Sequence, residues 1–143
     1  MGLCAGGMQG MDGGMLGGVS AQEKEALLKG AGLGAGMIAM MNGYPGPKHV
    51  LEMGDELGLT AEQRESIGKT YGKVKAESVE FGTELVEKDE KLTALFASGS
   101  VSTGEVEKLS REIGELQGRV RAAHLNAHVE TYDALTPAQR EQL

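Results

Sequence analysis

From Thr60 onward the chain places Ile67, Tyr71, Val74, Ser78, Phe81, Leu85, Lys88, Leu92 and Leu95 at alternating steps of four and three. Seven of these nine are apolar, which is the seam of a helix that packs on another helix. After a Ser98-Gly-Ser100 loop the same rhythm returns in Val106, Leu109, Ile113, Leu116, Val120, Ala123 and Ala127. The spacing predicts two long helices, from Thr60 to about Ala97 and from Ser102 to the Leu135 region. A loop this short makes them an antiparallel hairpin.

Helix starts are marked independently of the seam. A capping box pairs a Ser or Thr hydroxyl with a Glu or Gln three residues on, each satisfying the other's free backbone N–H. Four such pairs occur: Ser20 with Glu23, Thr60 with Gln63, Ser102 with Glu105, and Thr136 with Gln139. Pro137 stands at the first helical position after Thr136, where a missing N–H costs nothing. The pattern thus predicts a short helix from Ser20 to Lys29, the two long arms, and a last helix from Thr136. The turn Tyr44-Pro-Gly-Pro47 leads into a further short helix over about 47–57, with Val50, Met53 and Leu57 on one face and Gly58 closing it.

The expected organisation is an all-α, hooked helical hairpin over 44–143. Before it come a short helix and a flexible Gly/Met-rich segment over 20–43, then a disordered Gly/Met-rich tail or signal remnant over 1–19. Leu125, Val129 and Tyr132 form a second apolar stripe on the second arm, roughly opposite Ala127. Either the 47–57 helix or a second subunit must cover it. Both are expected, which makes the protein a homodimer.

Composition narrows the fold and the partners. Aromatic residues are only 3% of the 143, with no Trp, so the core is built from Leu, Val, Ile, Ala and Met, as narrow helix packing requires. The net charge of −7 repels phosphate backbones and argues against nucleic acid. No run of about eighteen apolar residues is present, so no membrane span is expected. No basic stretch followed by an apolar one opens the chain, so no intact export signal is visible. The single cysteine, Cys4, cannot form an internal disulfide and reads as a spare thiol in the tail.

The pentads Leu59-Thr-Ala-Glu-Gln63 and Leu135-Thr-Pro-Ala-Gln139, one before the first arm and one after the second, resemble the LTXXQ signature of the Spy/CpxP family of periplasmic proteins. The segment over 44–64 resembles the heavy-metal-sensor branch. The resemblance spans about 44–143, and its motif residues here are Leu59, Thr60, Gln63, Leu135, Thr136 and Gln139. It implies a dimeric all-α hook in the periplasm with no catalytic activity. It further implies one of three roles: metal sensing or sequestration, ATP-independent chaperoning of unfolded client proteins, or inhibition of a stress-sensor protein in the inner membrane. The net acidic charge departs from the basic concave surface of the chaperone members.

Candidate chemistry lies on the histidines. His124 and His128 are four apart on the second arm, so they share a face and suit one metal ion. His49 and Met53 are four apart on the short helix. If that helix folds against the hairpin, His49, Met53, His124 and His128 converge as ligands. The metal-sensing relatives are similar, with ligands four apart on a first helix and again on the last, although Tyr132 stands at the next step after His128. Imidazole suits nickel, cobalt, zinc or copper, and thioether suits copper(I). Glu52 or Glu130 could complete the set. The blander alternatives are a chance histidine pair and a Met53 that simply packs. Met8, Met11 and Met15 read as part of a flexible segment, and Met37, Met40 and Met41 as packing over the hairpin mouth. The only thiol is far along the chain from the histidines and no Gly-rich loop follows a strand, so an enzyme is not expected.

Overall fold

All four capping boxes form, and they set where the helices begin. The computed structural model of the chain describes residues 18–143, and among these there are helices and turns but no strand. At Thr60 the Gln63 backbone N–H donates to the hydroxyl at 3.1 Å, and the Thr60 N–H donates to Gln63 Oε1 at 3.0 Å. The boxes at Ser20, Ser102 and Thr136 repeat this exchange. The resulting order is α1 (Ala21–Leu28), α2 (Met37–Met40), α3 (Pro47–Glu52), α4 (Gly54–Leu57), α5 (Ala61–Ser98), α6 (Thr103–Ala134) and α7 (Pro137–Glu141). Cys4 and Met8 to Met15, with nearly all of the tail over 1–19, lie outside the described residues.

Helices α5 and α6 are the predicted hairpin. Gly99, at φ +70°, ends α5 in the left-handed conformation that glycine adopts without penalty. Cross-arm pairs run in opposite directions: Thr70 meets Glu130, Ser78 meets His124, and Lys88 meets Glu112. The seam is buried as read, at Ile67, Val74, Ser78 and Leu85 on one arm and Leu109, Leu116, Val120, Ala123 and Ala127 on the other. Lys88, the charged member of the seam, reaches Glu112 at 2.9 Å.

The core is three patches strung along the hairpin. Leu27, Leu85, Val86 and Leu116 form one, with α1 lying across α5. That crossing is close: a Cβ at Gly82 would fall 2.6 Å from the Leu27 carbonyl oxygen. Val74, Ala123 and Ala127 form a thin middle patch. Val50, Leu57, Leu59, Ile67 and Leu135 form the third, where the two pentads meet.

Each pentad does more than cap its own helix. Gln63 Nε2 donates to Gln139 Oε1 at 2.7 Å, and Gln139 Nε2 donates to Gln63 Oε1 at 3.1 Å. The remaining amide hydrogens go to backbone carbonyls across the joint, Gln63 to Ala134 at 2.9 Å and Gln139 to Leu57 at 3.3 Å. Leu59 and Leu135 are buried together beneath this pair. The two ends of the hairpin are therefore closed by a nearly symmetric amide clasp whose polar atoms are matched, as burial demands.

Two expectations are corrected here. The 47–57 helix is two pieces. Met53 has φ −93° and ψ 12°, and the chain turns there to set buried Gly54 against Arg64. A Cβ at Gly54 would fall 2.7 Å from Arg64 Nη1, and Arg64 also holds Asp55 at 2.7 Å. The methionines of the α2 segment are not packed over the hairpin mouth: Met37 is 56% exposed, Met40 60% and Met41 78%. The segment meets the hairpin through glycine backbone, which leaves most of the Ile38 and Met41 side chains exposed.

The second stripe of α6 is covered in part. Tyr44 stacks on Tyr132 with ring centroids 4.1 Å apart, and Arg140 lies over the other side of that ring. Val129 remains 46% exposed. No helix among the described residues is long and apolar enough to cross a membrane.

Candidate functional site

In the thin middle of the hairpin small residues leave room that polar side chains occupy. Ala123 and Ala127 on α6 face Val74 and Ser78 on α5, and His124 and His128 stand beside them. A cavity of about 420 Å³ opens here, lined by His124 and His128 from α6, His49 and Glu52 from α3, Met40 from α2, and Tyr71 from α5. A second cavity of about 450 Å³ is lined by Leu27, Leu33, Ala35, Leu85, Gln117 and Arg121 among others, and by none of the histidines.

Three of the sequence-predicted residues thus share one space. His49 is exposed at its rim, and His128 is buried at 7% exposure in its floor. Met53 goes elsewhere: it packs against the Val50, Leu57 and Ile67 patch, on the other side of its helix. Met40, whose expected role is packing over the hairpin mouth, stands in the cavity wall instead. Glu130 lies apart, with Thr70 and Lys73. The motif residues Thr60, Gln63, Thr136 and Gln139 form the clasp at the hairpin end and take no part in the cavity.

The protonation pattern of His128 follows from its neighbour. Its Nδ1 lies 2.8 Å from the Tyr44 carbonyl oxygen, which can only accept. Nδ1 therefore carries the hydrogen, and the neutral ring has its lone pair on Nε2. A histidine held through one nitrogen by a backbone carbonyl, with the other nitrogen oriented as a donor, is the usual arrangement of a metal-ligating imidazole. His124 Nε2 lies 2.9 Å from Ser78 Oγ, a side chain with no exposure at all. Burial holds the His124 pKa below the ordinary 6.5, and the neighbouring His128 lowers it further. A neutral imidazole is the form that binds metal.

The donor chemistry therefore fits a borderline transition ion. The arrangement does not yet close on one: among the described residues, no three His, Cys, Asp or Glu side chains are placed to hold a single ion.

Glycine backbone crowds two of these imidazoles. A Cβ at Gly32 would lie 2.7 Å from His124 Nε2, and one at Gly36 would collide with His128 Nε2. Gly46 approaches the His128 ring as well, at 3.3 Å. The Gly-rich segment thus lies directly on both imidazoles. Sequence reasoning missed Ser78, Tyr44, Gly32 and Gly36. One signal was available: Gly32 and Gly36 are four apart, as are His124 and His128.

A family model described as heavy-metal resistance matches residues 26–142. No curated protein and no solved structure matches the chain.

Proposed function

The chain belongs to the heavy-metal-resistance family, the Spy/CpxP-like group, over nearly its whole described length, and on that premise we propose that it is a non-enzymatic, metal-responsive binding protein of the periplasm. Its ligand is a borderline transition ion, nickel, cobalt, copper or zinc, taken up at the cavity beside His124 and His128 with His49 at the rim. The observation that carries this reading is the cavity itself: helices far apart in sequence bring His49, His124 and His128 to its wall. Imidazole nitrogen selects these ions over calcium and magnesium, which prefer oxygen. The role is sensing or sequestration, since a bound ion would draw α3 and α6 together.

Calorimetric titration with nickel, cobalt, copper(II) and zinc tests the reading. Dissociation constants in the micromolar range or below are expected, weakened at least about tenfold in His128→Ala by loss of one ligand. Binding no tighter than about millimolar, or unaltered in His128→Ala, would overturn it.

A second reading, chaperoning of unfolded clients without ATP, draws on the exposed apolar side chains of Ile38 and Met41. Failure to suppress client aggregation at equimolar protein would remove it. The homodimer belongs to the same proposal: the exposed Val129 stripe on α6 is the face a second copy would cover.

A further inference from the structure

The segment Gly30–Gly43 is anchored by packing at both ends. At one end Leu27, 1% exposed, is clamped against Gly82 of α5. At the other, Tyr44 stacks on Tyr132, and Pro45 and Pro47 are buried. In between, the hydrogen bonds close on the segment itself. Ala35 N–H donates to the Gly32 carbonyl at 2.9 Å, Met37 N–H to Gly34 at 3.0 Å, and Asn42 Nδ2 to Ile38 at 2.8 Å. These bonds travel with the segment if it lifts.

The chain is also strained here. Leu33 sits at φ +49°, the left-handed region that side chains with a Cβ avoid, between Gly30 at +85° and Gly34 at +82°. Such a conformation persists only while its surroundings impose it.

On either side of Leu33, Gly32 and Gly36 sit on the histidines, and that seat is also the ligand position. In the tautomer that the Tyr44 carbonyl selects, the lone pair of His128 is on Nε2, because Nδ1 carries the hydrogen. Gly36 lies against that same atom, too close for any side chain. A coordinate bond from imidazole is about 2.0–2.1 Å long, so an ion on Nε2 would occupy the space that Gly36 fills. Gly32 lies against His124 Nε2 as well, the nitrogen that also meets Ser78 Oγ.

We propose that Gly30–Gly43 is a strap that competes with the metal ion for the two imidazoles, so that ion capture lifts the strap and the seated strap sets a threshold for capture. The proposal rests on the metal-binding reading above and adds the element that responds. Glycine at 32 and 36 allows the closed seat, and the strain at Leu33 favours release. Lifting the strap uncovers Nε2 of both imidazoles. Lifting it also re-presents an apolar face, with Leu33, Met37, Ile38, Met40 and Met41, to whatever reads the signal.

Hydrogen–deuterium exchange of the full chain, read beside nickel calorimetry on the same samples, tests this. Saturating nickel is expected to raise exchange over 31–43 while the amides along the α5–α6 seam stay protected. Gly36→Val cannot seat on His128. If the strap is open about one tenth of the time in the free protein, this variant binds nickel about tenfold more tightly than the unaltered chain. With no metal present, its His128 reacts faster with diethyl pyrocarbonate. Calorimetric binding with no rise in exchange over 31–43 overturns the strap and leaves the histidine site standing. Equal His128 reactivity in the two proteins overturns the strap whatever the metal does. Binding seen only in Gly36→Val supports a strap that stays closed, and binding in neither protein overturns both readings. Gly36 lies outside the hairpin, and the exchange experiment on the unaltered chain does not depend on the variant.

Discussion

Replacing Gln139 by Leu keeps most of the side-chain volume and removes the polar half of the clasp. Four hydrogen bonds go at once, from Thr136 N–H at 2.9 Å, from Gln63 Nε2 at 2.7 Å, to Gln63 Oε1 at 3.1 Å and to the Leu57 carbonyl at 3.3 Å. Each is worth about 0.5–1.5 kcal/mol net, and a buried partner left unmatched costs about 1–3 kcal/mol. Water reaches the Thr136 side, so the sum is discounted to about 3–4 kcal/mol. For a chain of this size that lowers Tm by roughly 10–15 °C. Glu105→Ala, in the exposed Ser102 box with no cross-partner, is the control and costs only about 0.5–1 kcal/mol. Urea unfolding of both variants compares them directly. A double-mutant cycle of Gln63→Ala with Gln139→Ala should give a coupling of about 1–2 kcal/mol. If the two substitutions add within about 0.5 kcal/mol, or if Gln139→Leu costs no more than Glu105→Ala, the clasp does not join the hairpin ends as argued.

Other outcomes follow from the same structure. Leu27→Ala, at the anchor of α1, is expected to cost about 2–4 kcal/mol and to raise exchange over 21–43 before the hairpin opens; simultaneous loss of both would contradict separate units. His124 has a lowered pKa when folded, so the unfolded chain binds the proton first as pH falls. Its stabilising contribution is therefore complete above the ordinary 6.5 and declines below it. Metal-free denaturation curves should show stability falling between pH 7 and pH 5, less steeply in His124→Gln, and equal slopes would refute the assignment. Val129→Asp should shift sedimentation equilibrium toward monomer, and an unchanged mass would remove the α6 stripe as the dimer face.

The hairpin was legible because its signals are local and redundant. Seam periodicity and capping boxes agree on the same boundaries, and neither depends on a distant partner. The pentads were legible only as caps. That Gln63 and Gln139 would clasp each other needs the hairpin to bring residues far apart in the chain together, which no local pattern encodes. Met53 and Met40 exchanged expected roles for a similar reason. Spacing put Met53 beside His49 on one helix, but the turn that packs Gly54 against Arg64 carried it into the core. The glycines read as flexibility because glycine-rich sequence usually is flexible. Here two of them are contact surfaces, recognisable only once the histidines they touch are in place. His128 itself was found by spacing, while the Tyr44 carbonyl that orients it carries no side-chain signature at all.

X-ray absorption on the cobalt-loaded protein tests the central claim most directly, because outer-shell scattering counts imidazole ligands. At least two imidazoles per ion are expected, falling by one in His128→Ala. A shell of oxygen ligands alone, or a spectrum that His128→Ala leaves unchanged, would contradict the assignment of the histidine cavity as the metal site.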